Sequence, residues 1–103
     1  MDKKFKLSYL PQFEQDLSEV SDYIVYKLNN PAAALRLINE TEIAIKKRLD
    51  NPLAFRPYKS KRTRVNDYYR IYIKNYSIFY VILDDVMEVR RFVYSKRNLP
   101  DII

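Results

Sequence analysis

Seven cations, Arg56, Lys59, Lys61, Arg62, Arg64, Arg70 and Lys74, fall within nineteen residues that contain one acid, Asp67. The rest of the chain carries twelve cations and twelve acids, so the whole formal charge of +6 is local. Tyrosines 58, 68, 69 and 72 are interleaved with these cations. Lysine and arginine attract phosphate whatever the sequence of the nucleic acid, and aromatic rings offer faces on which bases stack. The stretch therefore points to nucleic acid or an acidic protein as partner. The competing reading is a solvated sheet edge whose lysines discourage pairing with other chains. With no histidine and no cysteine, a zinc site and any Cys–His or Ser–His–Asp nucleophile are excluded, and no cofactor is expected.

Most of these residues must be held by the last third of the chain. Three runs rich in Tyr, Ile, Val and Phe between Tyr68 and Tyr94 are broken at Asn75 and at Asp84-Asp85, which predicts a three-stranded antiparallel meander. The middle run, Ile78 to Leu83, is apolar at every position and fits a central strand buried on both faces. In the first run Tyr69, Ile71 and Ile73 share one face, and Tyr68, Arg70, Tyr72 and Lys74 share the other.

The first half reads as a strand and two helices. Phe5, Leu7 and Tyr9 alternate with Lys4, Lys6 and Ser8, predicting a short edge strand from Lys3 to Tyr9. From Pro11 the period changes. Phe13, Leu17, Val20, Ile24 and Leu28 form a helical stripe, with Glu14, Asp16, Glu19 and Asp22 turned away from it. Asn30 is the expected N-cap and Pro31 the first residue of a second helix, whose stripe is Ala34, Ile38, Thr41, Ile45 and Leu49. So short a break between helices predicts an antiparallel hairpin. Leu53 to Thr63 reads as a loop, and the tail after Tyr94 is expected to turn back over the sheet or fray. The chain contains no glycine, so positive φ in its turns is expected of Asn and Asp.

A length of 103 residues suits a single domain, residues 1–103, of α+β class. The longest apolar run is far below the roughly 20 residues that cross a bilayer, so no membrane partner is expected. The first ten residues lack the apolar segment of a signal peptide, which predicts a cytoplasmic protein.

This order of elements, with Tyr69-Arg70, the stretch Tyr76-Ser77-Ile78-Phe79-Tyr80 and the ending Val89-Arg90-Arg91-Phe92-Val93-Tyr94-Ser95-Lys96-Arg97, resembles the RelE/ParE superfamily of bacterial toxins from type II toxin–antitoxin modules. The likeness covers essentially the whole chain. It implies a cognate antitoxin, acidic and bound as a hetero-oligomer, and one of two actions. RelE-like members cut messenger RNA on the ribosome; ParE-like members poison DNA gyrase. A third reading is an inactive member that only binds antitoxin.

The RelE-like reading leads from the sequence, with ribosome and mRNA as partners and the protein acting as a ribosome-dependent endoribonuclease. Carried over by position, Lys59, Lys61 and Arg62 match the family's basic loop, Arg97 its arginine after the last strand, and Tyr94 a position for an acid–base group. Cleavage needs a base for the 2′-hydroxyl, fixed positive charge for the phosphate and an acid for the leaving oxygen. The expected catalytic set is Tyr94, Arg97, Arg70 and Lys61, with Lys59, Lys61, Arg62, Arg64, Arg91 and Lys96 holding the nucleic acid. The base is a lysine of lowered pKa, Tyr94 or Asp67, and Arg70, Arg91 and Arg97 supply the charge. One position departs from the RelE-like pattern: Ser77 stands where many members carry an arginine. The structural alternative is that Arg90 and Arg91 pair with Asp84, Asp85 or Glu88 across turns while Tyr94 packs at the sheet edge.

Overall fold

A computed structural model describes residues 4–59, 65–97 and 99–103. The order is β1 (Lys6–Tyr9), α1 (Pro11–Asp22), a π-helical turn (Tyr23–Lys27), α2 (Pro31–Leu49), β2 (Tyr69–Ile73), β3 (Tyr76–Leu83), β4 (Val86–Tyr94) and α3 (Leu99–Ile102). The strands form one sheet in the order β1-β4-β3-β2, antiparallel within the meander. β1 lies at an edge, as its pattern predicts, and pairs parallel with β4, Lys6 opposite Val86 and Tyr9 opposite Val89.

The unbroken apolar run of β3 has its cause in two cores. The helical hairpin covers one face, where Phe13, Ile24, Leu37 and Ile45 pack on Ile71, Ile78 and Phe92. The returning tail covers the other, where Leu99 and Ile103 pack on Phe79, Val81 and Val93. Phe79, Tyr80 and Val81 are 0% exposed, because successive side chains enter opposite cores. The predicted two faces of β2 are both present, with Tyr69, Ile71 and Ile73 buried and Tyr72 exposed.

Helices α1 and α2 begin on proline, whose fixed φ suits the first turn and whose missing N–H costs nothing there. Asn30 caps α2 as expected, its Oδ1 accepting from Ala33 N at 3.1 Å. In α2 the buried set gains Leu37, next to Ala34, Thr41 and Ile45.

Three expectations need correction. Asp16 is not turned away from the first helix's stripe but is 7% exposed, because it pairs with the sheet. Leu28 leaves the apolar stripe: the helix widens into the π turn, Leu28 N bonds Tyr23 O at 3.2 Å, and the side chain is 56% exposed. Positive φ is not confined to Asn and Asp. Asn29 and Asp84 adopt it, but at the β2–β3 turn it falls on Lys74, whose Nζ reaches Glu40 at 3.2 Å.

Candidate functional site

Arg70 is placed by strand alternation on the tail-side face of the sheet, opposite Phe79. Its Nε donates to Ser77 Oγ at 2.8 Å, and that oxygen lies 2.8 Å from Ser95 Oγ. Ser77, which departs from the expected arginine, is 0% exposed, and its hydroxyl anchors the neighbouring Arg70. The guanidinium then lies 4.3 Å from the ring centre of Tyr72, with Tyr58 and Phe79 further off at 5.6 and 5.7 Å. Such stacking, with the Nε–H held by Ser77, fixes the plane of the cation.

The loop beside Arg70 is held from α2. Arg48 lies in the last turn of that helix, and its Nη1 donates to Arg70 O at 3.3 Å and to Tyr80 OH at 3.0 Å. Tyr80 OH in turn donates to Pro52 O at 2.7 Å, and the Arg48 guanidinium lies 3.5 Å from the centre of the Phe55 ring. Burial raises the Tyr80 phenol above its ordinary value, against the opposing pull of Arg48, so it stays a proton donor. Tyr58 N reaches Tyr68 O at 2.6 Å, which carries exposed Lys59 to the rim of this face. Lys61, Arg62 and Arg64, expected to bind nucleic acid, lie outside the described residues. Asp67, one candidate base, is exposed just ahead of β2.

Tyr94 and Arg97 stand on the other side of the sheet. They line a groove of about 460 Å³ with Glu19, Val20 and Tyr23 from the first helix and its π turn, and Tyr76 and Phe92 from the sheet. Tyr94 meets Tyr76 edge-on at 5.8 Å, and Tyr76 stacks on Phe92 at 4.9 Å. Asp16 also lines the groove. Its carboxylate accepts from Arg91 Nε at 2.8 Å, Arg91 Nη2 at 3.3 Å and the backbone N–H of Phe92 at 3.0 Å. β1 has already left β4 at this level, its last rung being Leu10 N to Val89 O, so the side chain of Asp16 satisfies a strand edge that β1 no longer reaches.

Of the residues predicted to act together, Tyr94 and Arg97 therefore share a groove, Arg70 faces the opposite way, and Lys96 is exposed. Arg91 is bound by Asp16 rather than by Asp84, Asp85 or Glu88, whereas Arg90 does pair with Glu88, at 2.9 Å, and also donates to Tyr68 OH. Sequence reasoning missed Asp16 and Arg48. Asp16 had a signal: it stands three residues after Phe13 and four before Val20, spacing that puts it on the buried face. Among the described residues no group of three or more carboxylates could hold a metal ion.

A family model described as the ParE toxin of type II toxin–antitoxin systems, parDE, matches residues 7–99. The chain belongs to this family, and so to the toxins of the RelE/ParE superfamily. No curated protein matches it in sequence. Among solved structures it is similar to the chromosomal ParDE toxin–antitoxin system of P. aeruginosa, with TM-score 0.75 and 14% identity over 91% of this chain and 99% of that one. It is also similar to the E. coli DinJ–YafQ toxin–antitoxin complex, with TM-score 0.57 and 11% identity over 88% and 92%. Against the archaeal RelE–RelB complex of Pyrococcus horikoshii OT3 the TM-score is 0.53, with 18% identity over 91% and 98%. At these identities the likeness establishes the α+β fold expected from the sequence.

Proposed function

We propose that this protein is a ParE-like toxin that acts by poisoning DNA gyrase, and that an acidic antitoxin silences it as a hetero-oligomer. The observation that carries this reading is the division of the cations. RNA cleavage gathers fixed charge and proton-transfer groups around one phosphate, but here Arg70 faces the tail side, Tyr94 and Arg97 face the helix side, and Arg91 is neutralised by Asp16. A toxin that works by binding needs no such convergence. The family match over residues 7–99 supports the same choice over the RelE-like one, and the similarity to the ParDE system and the DinJ–YafQ toxin–antitoxin complex supports the antitoxin. Its acids would meet the cationic stretch from Arg56 to Lys74.

The test is direct. Purified protein incubated with gyrase, ATP and supercoiled plasmid should yield linear DNA, rising with toxin, when the reaction is stopped with detergent and protease. Ribosomes on a defined message should give no new A-site ends by primer extension. The opposite pair of results restores the ribonuclease reading, and inactivity in both, with growth unaffected by expression, identifies a member that only binds antitoxin.

A further inference from the structure

The π turn exposes apolar surface that a plain helix would bury. Phe13, Leu17, Val20 and Ile24 pack toward the core, and an unbroken α-helix would add Leu28 to their line. The bond from Leu28 N to Tyr23 O puts one more residue into the turn, so Leu28 leaves that line and is brought over Tyr23. Tyr23 lines the groove shared by Tyr94 and Arg97 and is 55% exposed; Leu28 is 56% exposed and Tyr94 38%. The Tyr76 phenol feels both tyrosines: burial raises its pKa first, then Tyr94 and Tyr23. Large side chains turned outward at the expense of a helix's own apolar stripe mark a contact surface. The charges beside these rings decide what can cover them. Glu19 comes from α1 and Arg97 from beyond the end of β4, so the groove carries an acid and a cation from opposite walls. Glu19 accepts from the neutral amide of Gln15 at 3.2 Å, and no carboxylate among the described residues pairs with Arg97. Asp16 and Arg91 neutralise each other, and Asp22 and Lys27, both exposed, repeat the balance along the turn.

We propose that two copies of this chain associate through this face as a twofold dimer, with Tyr23, Leu28 and Tyr94 buried at its centre and Glu19 of each copy paired with Arg97 of the other. A twofold interface must be complementary to itself, and a face that offers both signs of charge in equal number meets that condition. An acidic chain would find Glu19 and Asp22 against it. Elsewhere the surface opposes self-association, since each copy carries a formal charge of +6, so repulsion is least where acids and cations balance. A standard interface takes about a tenth of a small protein's surface. Of 7085 Å² that is about 700 Å² per copy, at the low end of specific interfaces, so the dimer should dissociate in the micromolar range.

Sedimentation velocity on the full chain, from about 1 to 500 µM at about 0.15 M salt, should show a mass that rises reversibly from one chain toward two. Glu19→Arg and Arg97→Glu each set like charges opposite one another twice in the dimer and should weaken it about tenfold or more. Both residues are exposed, so each variant should keep the circular dichroism of the parent. Mixed in equal amounts, the two variants should regain a dimer of parental strength. The introduced arginine of one copy then faces the introduced glutamate of the other, while the first copy's Arg97 faces the second copy's Glu19. Leu28→Ser removes apolar area twice and should weaken the parental dimer without touching a charge. A single-chain mass at every concentration, single variants that dimerise as the parent does, or a mixture that stays monomeric each overturns the proposal.

Discussion

Asp16 and Ser77 are short polar side chains that decide where two arginines of the sheet can point. Asp16 offers one carboxylate to both the Arg91 guanidinium and the Phe92 N–H, so Asp16→Ala leaves a part-buried charge and a buried backbone donor without partners. The expected loss is about 3 kcal/mol. Asp16→Asn keeps an acceptor for Phe92 and should cost about half as much; urea midpoints of the two variants measure the difference. Ser77 makes the opposite case. Ser77→Arg would place a second guanidinium in a site that is 0% exposed and beside Arg70. We expect destabilisation of about 3 kcal/mol or more, with no gain of ribonuclease activity. A stable, RNA-cleaving Ser77→Arg protein would overturn the assignment of Ser77 as an anchor.

The elements differ in how openly the sequence announces them. β3 was legible because a strand with a core on each side needs an apolar residue at every position, and Ile78 to Leu83 supplies them. The α2 boundary was legible because Asn30-Pro31 is a local cap. The phase of β4 was not. A bulge leaves Arg90 unopposed between the Tyr80–Val89 and Phe79–Arg91 pairs, so period-two counting along the strand cannot tell which way Arg90 and Arg91 face. Asp16 was misread because apolar periodicity counts only apolar residues and a paired carboxylate is silent in it. For the same reasons the placing of Arg70 on one face and of Tyr94 and Arg97 on the other was not legible in the sequence. The tail yields a prediction at this scale. Leu99 is 7% exposed and Ile103 0%, and both lie on Phe79, Val81 and Val93. Ending the chain before Leu99 should cost about 3 kcal/mol or more, from two buried aliphatic side chains at about 1.5–3 kcal/mol each. The effect should appear as faster amide exchange in β3 and β4.

For the molecule as a whole, four tyrosines set an alkaline limit. The phenols of Tyr9, Tyr69, Tyr76 and Tyr80 are all raised above the ordinary 10.0, with burial the largest cause for each. The unfolded chain releases these protons near pH 10 while the folded chain still holds them, so the folded state binds more protons there and stability falls as pH rises. Their contribution is complete below the unfolded value and is lost as pH climbs through the folded ones. Denaturation midpoints should decline above about pH 10, and Tyr76→Phe should make that decline shallower.

The parallel pairing of β1 with β4 also governs when this protein can become a toxin. Lys6 and Val86 are partners roughly 80 positions apart, so β1 leaves the ribosome long before the strand it needs exists. At about 5–20 residues per second, translation holds that strand unpaired for roughly 4–16 s. The hairpin can form in the interval, but the sheet that presents Arg70, Tyr94 and Arg97 cannot. Ribosome-bound chains stalled before Val86 should be cut rapidly by protease, and chains stalled on a long C-terminal linker should resist it. The surface that would do harm is thus the last part of the molecule to take shape.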